Sequence, residues 1–73
     1  MKEQLLYGTR NAKPYQEVNL EQIIDKTVGG VVKTATESDH GLEMVIAVLF
    51  KDQTKASFIL PIEVDEDLNV IDN

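Results

Sequence analysis

The sequence predicts an α+β domain in which a short N-terminal helix packs on a three- or four-stranded antiparallel β-meander. Alternating apolar side chains in the second half indicate the strands, and a capping pattern near residue 19 indicates the helix. With 73 residues and no cysteine, the chain is long enough for one small domain that disulfides cannot stabilise. We place an N-terminal arm at residues 1–17 and a single small α+β domain at residues 18–73.

The central element is the apolar stretch at residues 42–50, which is too short for a good helix and rich in branched side chains. As a strand it is apolar on both faces, a pattern typical of the middle of a sheet. One short helix and an arm leave little material to cover two faces. We therefore expect the arm, a second copy or a partner to cover the second face, which carries Val45, Ala47, Leu49 and Ile59.

Strands are predicted on both sides of this stretch, at residues 30–37 and 55–64, with turns at residues 38–41 and 51–54. Pro61 has no N–H group, so the last of these strands should lie at a sheet edge or be bulged there. A short final strand is predicted at residues 68–71.

The helix is predicted at residues 18–26. Asn19 and Gln22 have the spacing of a capping box, and Val18 and Ile23 that of a hydrophobic staple. The pair at residues 29–30, both glycine, either ends the helix or places a bulge in the next strand. Leu20, Ile23 and Ile24 form one apolar stripe along this helix. Two helical turns are unstable alone, so the helix would depend on packing of that stripe.

Charge and hydropathy exclude several classes of function. Thirteen acidic and seven basic residues give a net charge of −6, which disfavours broad contacts with nucleic acid or with anionic membranes. The longest apolar run, residues 44–50, is far shorter than a membrane-spanning segment of about 20 residues. The N-terminus lacks the apolar core of a signal peptide, and we expect a cytoplasmic protein.

Catalytic groups are scarce. His40 is the only histidine and lies in a predicted turn beside Asp39 and Gly41, where a solvated side chain is the ordinary outcome. The acidic segment near residue 65 has the alternate spacing that begins a calcium loop but lacks the loop's glycine and closing glutamate. We therefore predict no enzymatic activity, no metal site and no cofactor.

Two groups of residues are candidates for binding a partner. Tyrosine and arginine are enriched at interface hot spots, so the arm either presents its aromatic side chains to a partner or docks them on the core. An acidic C-terminal segment would match a basic partner surface. The candidate residues are Tyr7, Arg10, Lys13, Tyr15, Glu63, Asp65, Glu66 and Asp67.

Two functions follow from these observations. The first is a small acidic non-enzymatic binding module, an accessory inhibitor or regulator of the kind that phages and mobile elements encode, which acts on a host protein. The second is a homo-oligomer that binds a small anionic or nucleotide-like ligand between its subunits.

Overall fold

A computed structural model describes residues 2–71 and shows one five-stranded sheet with a single turn of 3₁₀ helix. The strand order is β1-β3-β4-β5-β2, with β2 parallel to β5 and all other neighbours antiparallel. The elements are β1 (Gln4–Gly8), β2 (Gln16–Glu17), the 3₁₀ turn (Leu20–Gln22), β3 (Val28–Ser38), β4 (Gly41–Phe50) and β5 (Thr54–Val64).

The three long strands of the predicted meander are present, and each begins within two residues of its predicted start. The β3–β4 hairpin pairs Ser38 with Gly41 at its turn, and a register shift between Val28 and Gly30 places a bulge at the paired glycines. A second register shift, between Glu43 and Val45 of β4, lies opposite the part of β5 that contains Pro61. Both bulges agree with the sequence interpretation.

The predicted α+β class is wrong, because the described residues contain only the 3₁₀ turn and no α-helix. Gln22 Oε1 accepts the Asn19 N–H at 3.1 Å, so these two residues make the capping contact that their spacing predicts. Leu20 and Ile24, from the apolar stripe of the predicted helix, are 61% and 74% exposed. A two-turn helix needs packing of that stripe, and without it the cost of helix nucleation is not recovered.

Strands β1 and β2 were not predicted, and they determine the path of the N-terminal segment. The Thr9 N–H donates to Gly29 O of β3, and the Gln16 N–H donates to Gln53 O just before β5. The chain between them therefore crosses the sheet from one edge to the other. It returns to β3 through residues 18–27, where the Lys51 N–H donates to Thr27 O.

Apolar clusters lie on both faces of the sheet, because successive side chains of a strand point to opposite faces. On one face Leu68, in the turn after β5, is buried with Ala35, Met44 and Val64. On the other face the side chain of Tyr15 packs against a buried cluster made of Val32, Ala47 and Leu49.

The crossing segment thus covers part of the second face of β4. Ala47 and Leu49 are buried beneath Tyr15, and Val45 is buried as well. Only Ile59 of the four residues expected on this face is well exposed, at 63%. The chain thus covers most of its own central strand, and the large apolar side chains that stay exposed within residues 2–71 lie on other elements. The predicted final strand is reduced to a single bridge between Val64 and Val70.

Candidate protein-interaction edge

The four candidate residues of the N-terminal segment have different environments. Tyr7 lies on β1 and is 63% exposed. Tyr15 is half-buried on the core, and its hydroxyl oxygen accepts the Asn11 N–H at 3.0 Å. The Arg10 guanidinium lies 5.5 Å from the centre of the Tyr15 ring, and its Nε is 3.0 Å from Glu3 Oε1.

Arg10 and Tyr15 therefore have intramolecular partners, and of the two tyrosines only Tyr7 is presented to solvent. Lys13 is exposed in the crossing segment. The prediction that the arm docks its aromatic side chains on the core thus holds for Tyr15, and the alternative that it presents them to solvent holds for Tyr7.

Part of the acidic C-terminal segment builds a turn. Asp65 Oδ1 accepts the N–H groups of Asp67 at 2.8 Å and Asn69 at 3.0 Å. These bonds, the Asn69 one foremost, lower the pKa of Asp65. Asp67 forms an ion pair with Lys2, and this hydrogen bond raises the pKa of Lys2. Glu63 and Glu66 are exposed.

Two of the four carboxylates are thus engaged within the chain. The turn packs on one face of the sheet through Leu68, whereas Tyr15 packs on the opposite face. The structure does not bring the two predicted groups of residues together into one site.

The outer edge of β5 is protected along most of its length. Strand β2 pairs with the start of β5. Farther along β5, the carboxylate of Glu17, the last residue of β2, accepts the N–H of Ser57 at 3.0 Å and the hydroxyl of Ser57 at 2.9 Å. Pro61 offers no N–H, and Val70 bridges to Val64 at the strand's end. These are devices by which proteins prevent unwanted pairing at a sheet edge.

The outer edge of β1 is covered by no backbone, carboxylate or proline among residues 2–71. It is the other end of the strand order, and each of its five residues is exposed. Leu5, Leu6 and Tyr7 are 48%, 49% and 63% exposed, and no residue of Gln4–Gly8 is charged. A register shift between Leu5 and Tyr7 leaves Leu6 without a partner on β3.

Glycines hold β1 close to β3. Gly8 has a φ of +68°, and a Cβ there would lie 2.1 Å from Gly29 O. A Cβ on Gly30 would lie 2.4 Å from Thr9 O. The edge is therefore fixed by backbone contacts, and its apolar side chains are free to meet another surface. The uncharged run at residues 4–9 is the sequence feature that could have indicated this edge.

One groove and His40 are the remaining surface features that bear on chemistry. An open groove of about 680 Å³ is lined by both members of the Lys2–Asp67 ion pair together with Glu37, Leu42 and Glu66. Within residues 2–71 no three histidine or acidic side chains are grouped so that they could hold a metal ion. His40 lies exposed in the β3–β4 turn, where its N–H donates to Ser38 Oγ.

No helix in the described part of the chain has the length and apolar character needed to span a membrane. Comparison of the chain with protein-family models, with curated proteins and with solved structures gives no match.

Proposed function

We propose that this protein is a small non-enzymatic binding module, an accessory inhibitor or regulator, that engages another protein by accepting a strand at the β1 edge. The single observation that supports the proposal is the contrast between the two edges of the sheet. The β5 edge is covered by backbone, by a carboxylate and by a proline, whereas the β1 edge combines unpaired backbone with exposed Leu5, Leu6 and Tyr7.

A strand edge binds its ligand through the backbone. Unpaired N–H and C=O groups accept an extended segment, and the alternate side chains of that segment meet the apolar residues of the edge. Main-chain hydrogen bonds then supply affinity, and Leu5, Leu6 and Tyr7 supply selectivity. The proposal retains Tyr7 from the predicted binding residues and replaces the acidic C-terminal segment as the principal contact.

Capture from a lysate of the source organism, with the protein immobilised, tests the proposal when an edge variant is included. Leu6→Lys places a charge on the open edge, where lysine blocks strand pairing. Ile59→Lys is the matched control, because Ile59 is a similarly exposed strand residue on β5. We expect the immobilised wild type and Ile59→Lys to capture a protein that immobilised Leu6→Lys does not capture.

The captured protein should also show reduced or altered activity when the wild-type chain is added, and Leu6→Lys should leave that activity unchanged. Equal capture by wild type and Leu6→Lys would exclude the β1 edge as the binding site. A circular dichroism spectrum of each variant establishes that the fold is retained.

We make no proposal for a small-ligand site between subunits. The residues expected to line it include Arg10 and Tyr15, and these are engaged with Glu3 and with the core.

A further inference from the structure

We propose that, in the absence of another partner, the β1 edge pairs with the β1 edge of a second copy of this chain, giving a weak dimer with one continuous sheet. The inference rests on the use of the β1 edge proposed above. It adds the identity of a competing occupant and hence a means by which free protein limits its own binding.

The chemistry of the edge favours self-pairing. Residues 4–9 contain no charge and no proline, and three of the six are large apolar residues. Segments of this kind, when exposed at an edge, pair with identical segments. The charged residues Glu3 and Arg10 flank the run, and an ion pair joins them within the chain. Like charges therefore do not face one another across the middle of the paired strands.

The distribution of charge permits the contact despite a net charge of −6. Residues 1–15 carry three basic and one acidic residue, whereas residues 16–73 carry four basic and twelve acidic residues. Pairing at β1 places the least acidic segments of two copies together. The remaining repulsion between the copies is long-ranged and weakens when salt is added.

The size of the contact sets its strength. Two five-residue strands with three apolar side chains each bury less than the roughly 1,200 Å² of total surface that separates stable from transient complexes. The dimer should therefore form only at high concentration. It stops at two copies, because the β5 edge of each chain is protected by β2, by the Glu17 carboxylate and by Pro61.

Sedimentation equilibrium from about 10 µM to about 1 mM, a range chosen for transient contacts, tests the inference. We expect wild type and Ile59→Lys to shift from monomer toward dimer across this range and Leu6→Lys to stay monomeric. Tyr7→Lys provides a second edge variant. Leu6 and Tyr7 are both exposed, so neither change removes a core contact, and urea unfolding of each variant verifies this.

Salt dependence identifies the contact. Raising salt should strengthen the β1–β1 dimer by screening repulsion, whereas a contact between the basic part of one copy and the acidic part of another would weaken. A wild-type chain that is monomeric at every concentration, or a dimer that Leu6→Lys leaves intact, overturns the inference. In the first case the lysate test of the proposed function still stands, so the two failures are distinguishable.

Discussion

Leu68 should hold the C-terminal turn on the sheet, and its truncation provides the sharpest test of the packing. The side chain is 2% exposed and packs with Ala35, Met44 and Val64, although it follows the last long strand. Truncation of a fully buried leucine to alanine costs about 2–5 kcal/mol. A 73-residue domain is stabilised by roughly 4–11 kcal/mol in total, so Leu68→Ala should remove a large fraction of it.

Urea unfolding followed by circular dichroism measures this cost. Val70→Ala is the control, because Val70 lies two residues away and is 55% exposed, and surface substitutions of this kind change stability by about 0.5 kcal/mol or less. Equal unfolding midpoints for Leu68→Ala and Val70→Ala would refute the argument that the turn is anchored by burial.

A glycine at the same position separates burial from backbone strain. Leu68 has a φ of +68°, in the left-handed region that costs a residue with a Cβ about 1–2 kcal/mol. Leu68→Gly should therefore be at least as stable as Leu68→Ala, whereas at an ordinary strand position glycine is worse than alanine by about 0.5–1 kcal/mol. The opposite order would show that the turn does not hold this conformation in solution.

Three further predictions concern the β1–β3 contact, the β4–β5 turn and the dependence on pH. Gly30→Ala should cost about 1–3 kcal/mol, because the new Cβ meets the Thr9 carbonyl oxygen; Gly29→Ala meets only a flexible side chain, and equal costs in urea unfolding would contradict this. Gln53→Gly should raise stability by roughly 1 kcal/mol, because Gln53 has a φ of +69° and a buried Nε2 without a hydrogen-bond partner, and a lower melting temperature would contradict it. Hydrogen bonds from Lys26, the larger cause, and from Thr54 lower the pKa of Asp52 from 3.8 to about 2. The ionised Asp52 therefore stabilises the fold above pH 3.8, and this contribution is lost as the pH falls toward 2. In Asp52→Asn the urea unfolding midpoint should fall less between pH 3.8 and pH 2 than it does in the wild type. An equal fall in the two proteins would be inconsistent with a stabilising role of the Asp52 carboxylate.

The long strands were accessible from sequence because their signal is local. Alternation of side chains predicted β3, β4 and β5, and the missing N–H of Pro61 predicted an edge position or a bulge, which the structure confirms. The helix prediction failed because it also used local signals, a capping pattern and an apolar stripe. A short helix forms only where that stripe is buried, and burial depends on the rest of the fold. The exposed side chains of Leu20 and Ile24 show that no such surface was available.

The candidate site was harder to predict from the sequence. Tyr7 was named for its side-chain chemistry, but the feature that makes it a candidate is the open edge on which it lies, and that edge exists because β1 pairs with β3. The acidic segment illustrates the reverse case. Its composition predicts a partner surface, which stays a prediction, and only the structure shows that Asp65 also closes a turn and that Asp67 pairs with Lys2, 65 residues away in sequence.

The sequence by itself determined the central meander, the positions of its turns and the scarcity of catalytic groups, because residue type and spacing act over a few residues. The tertiary structure alone decided which edge of the sheet is open, which tyrosine is exposed and how Leu68 is buried. Those outcomes depend on contacts between distant parts of the chain, such as Thr9 with Gly29 and Glu17 with Ser57. Contacts of that kind are fixed by the shape of the assembled sheet, and no local pattern encodes them.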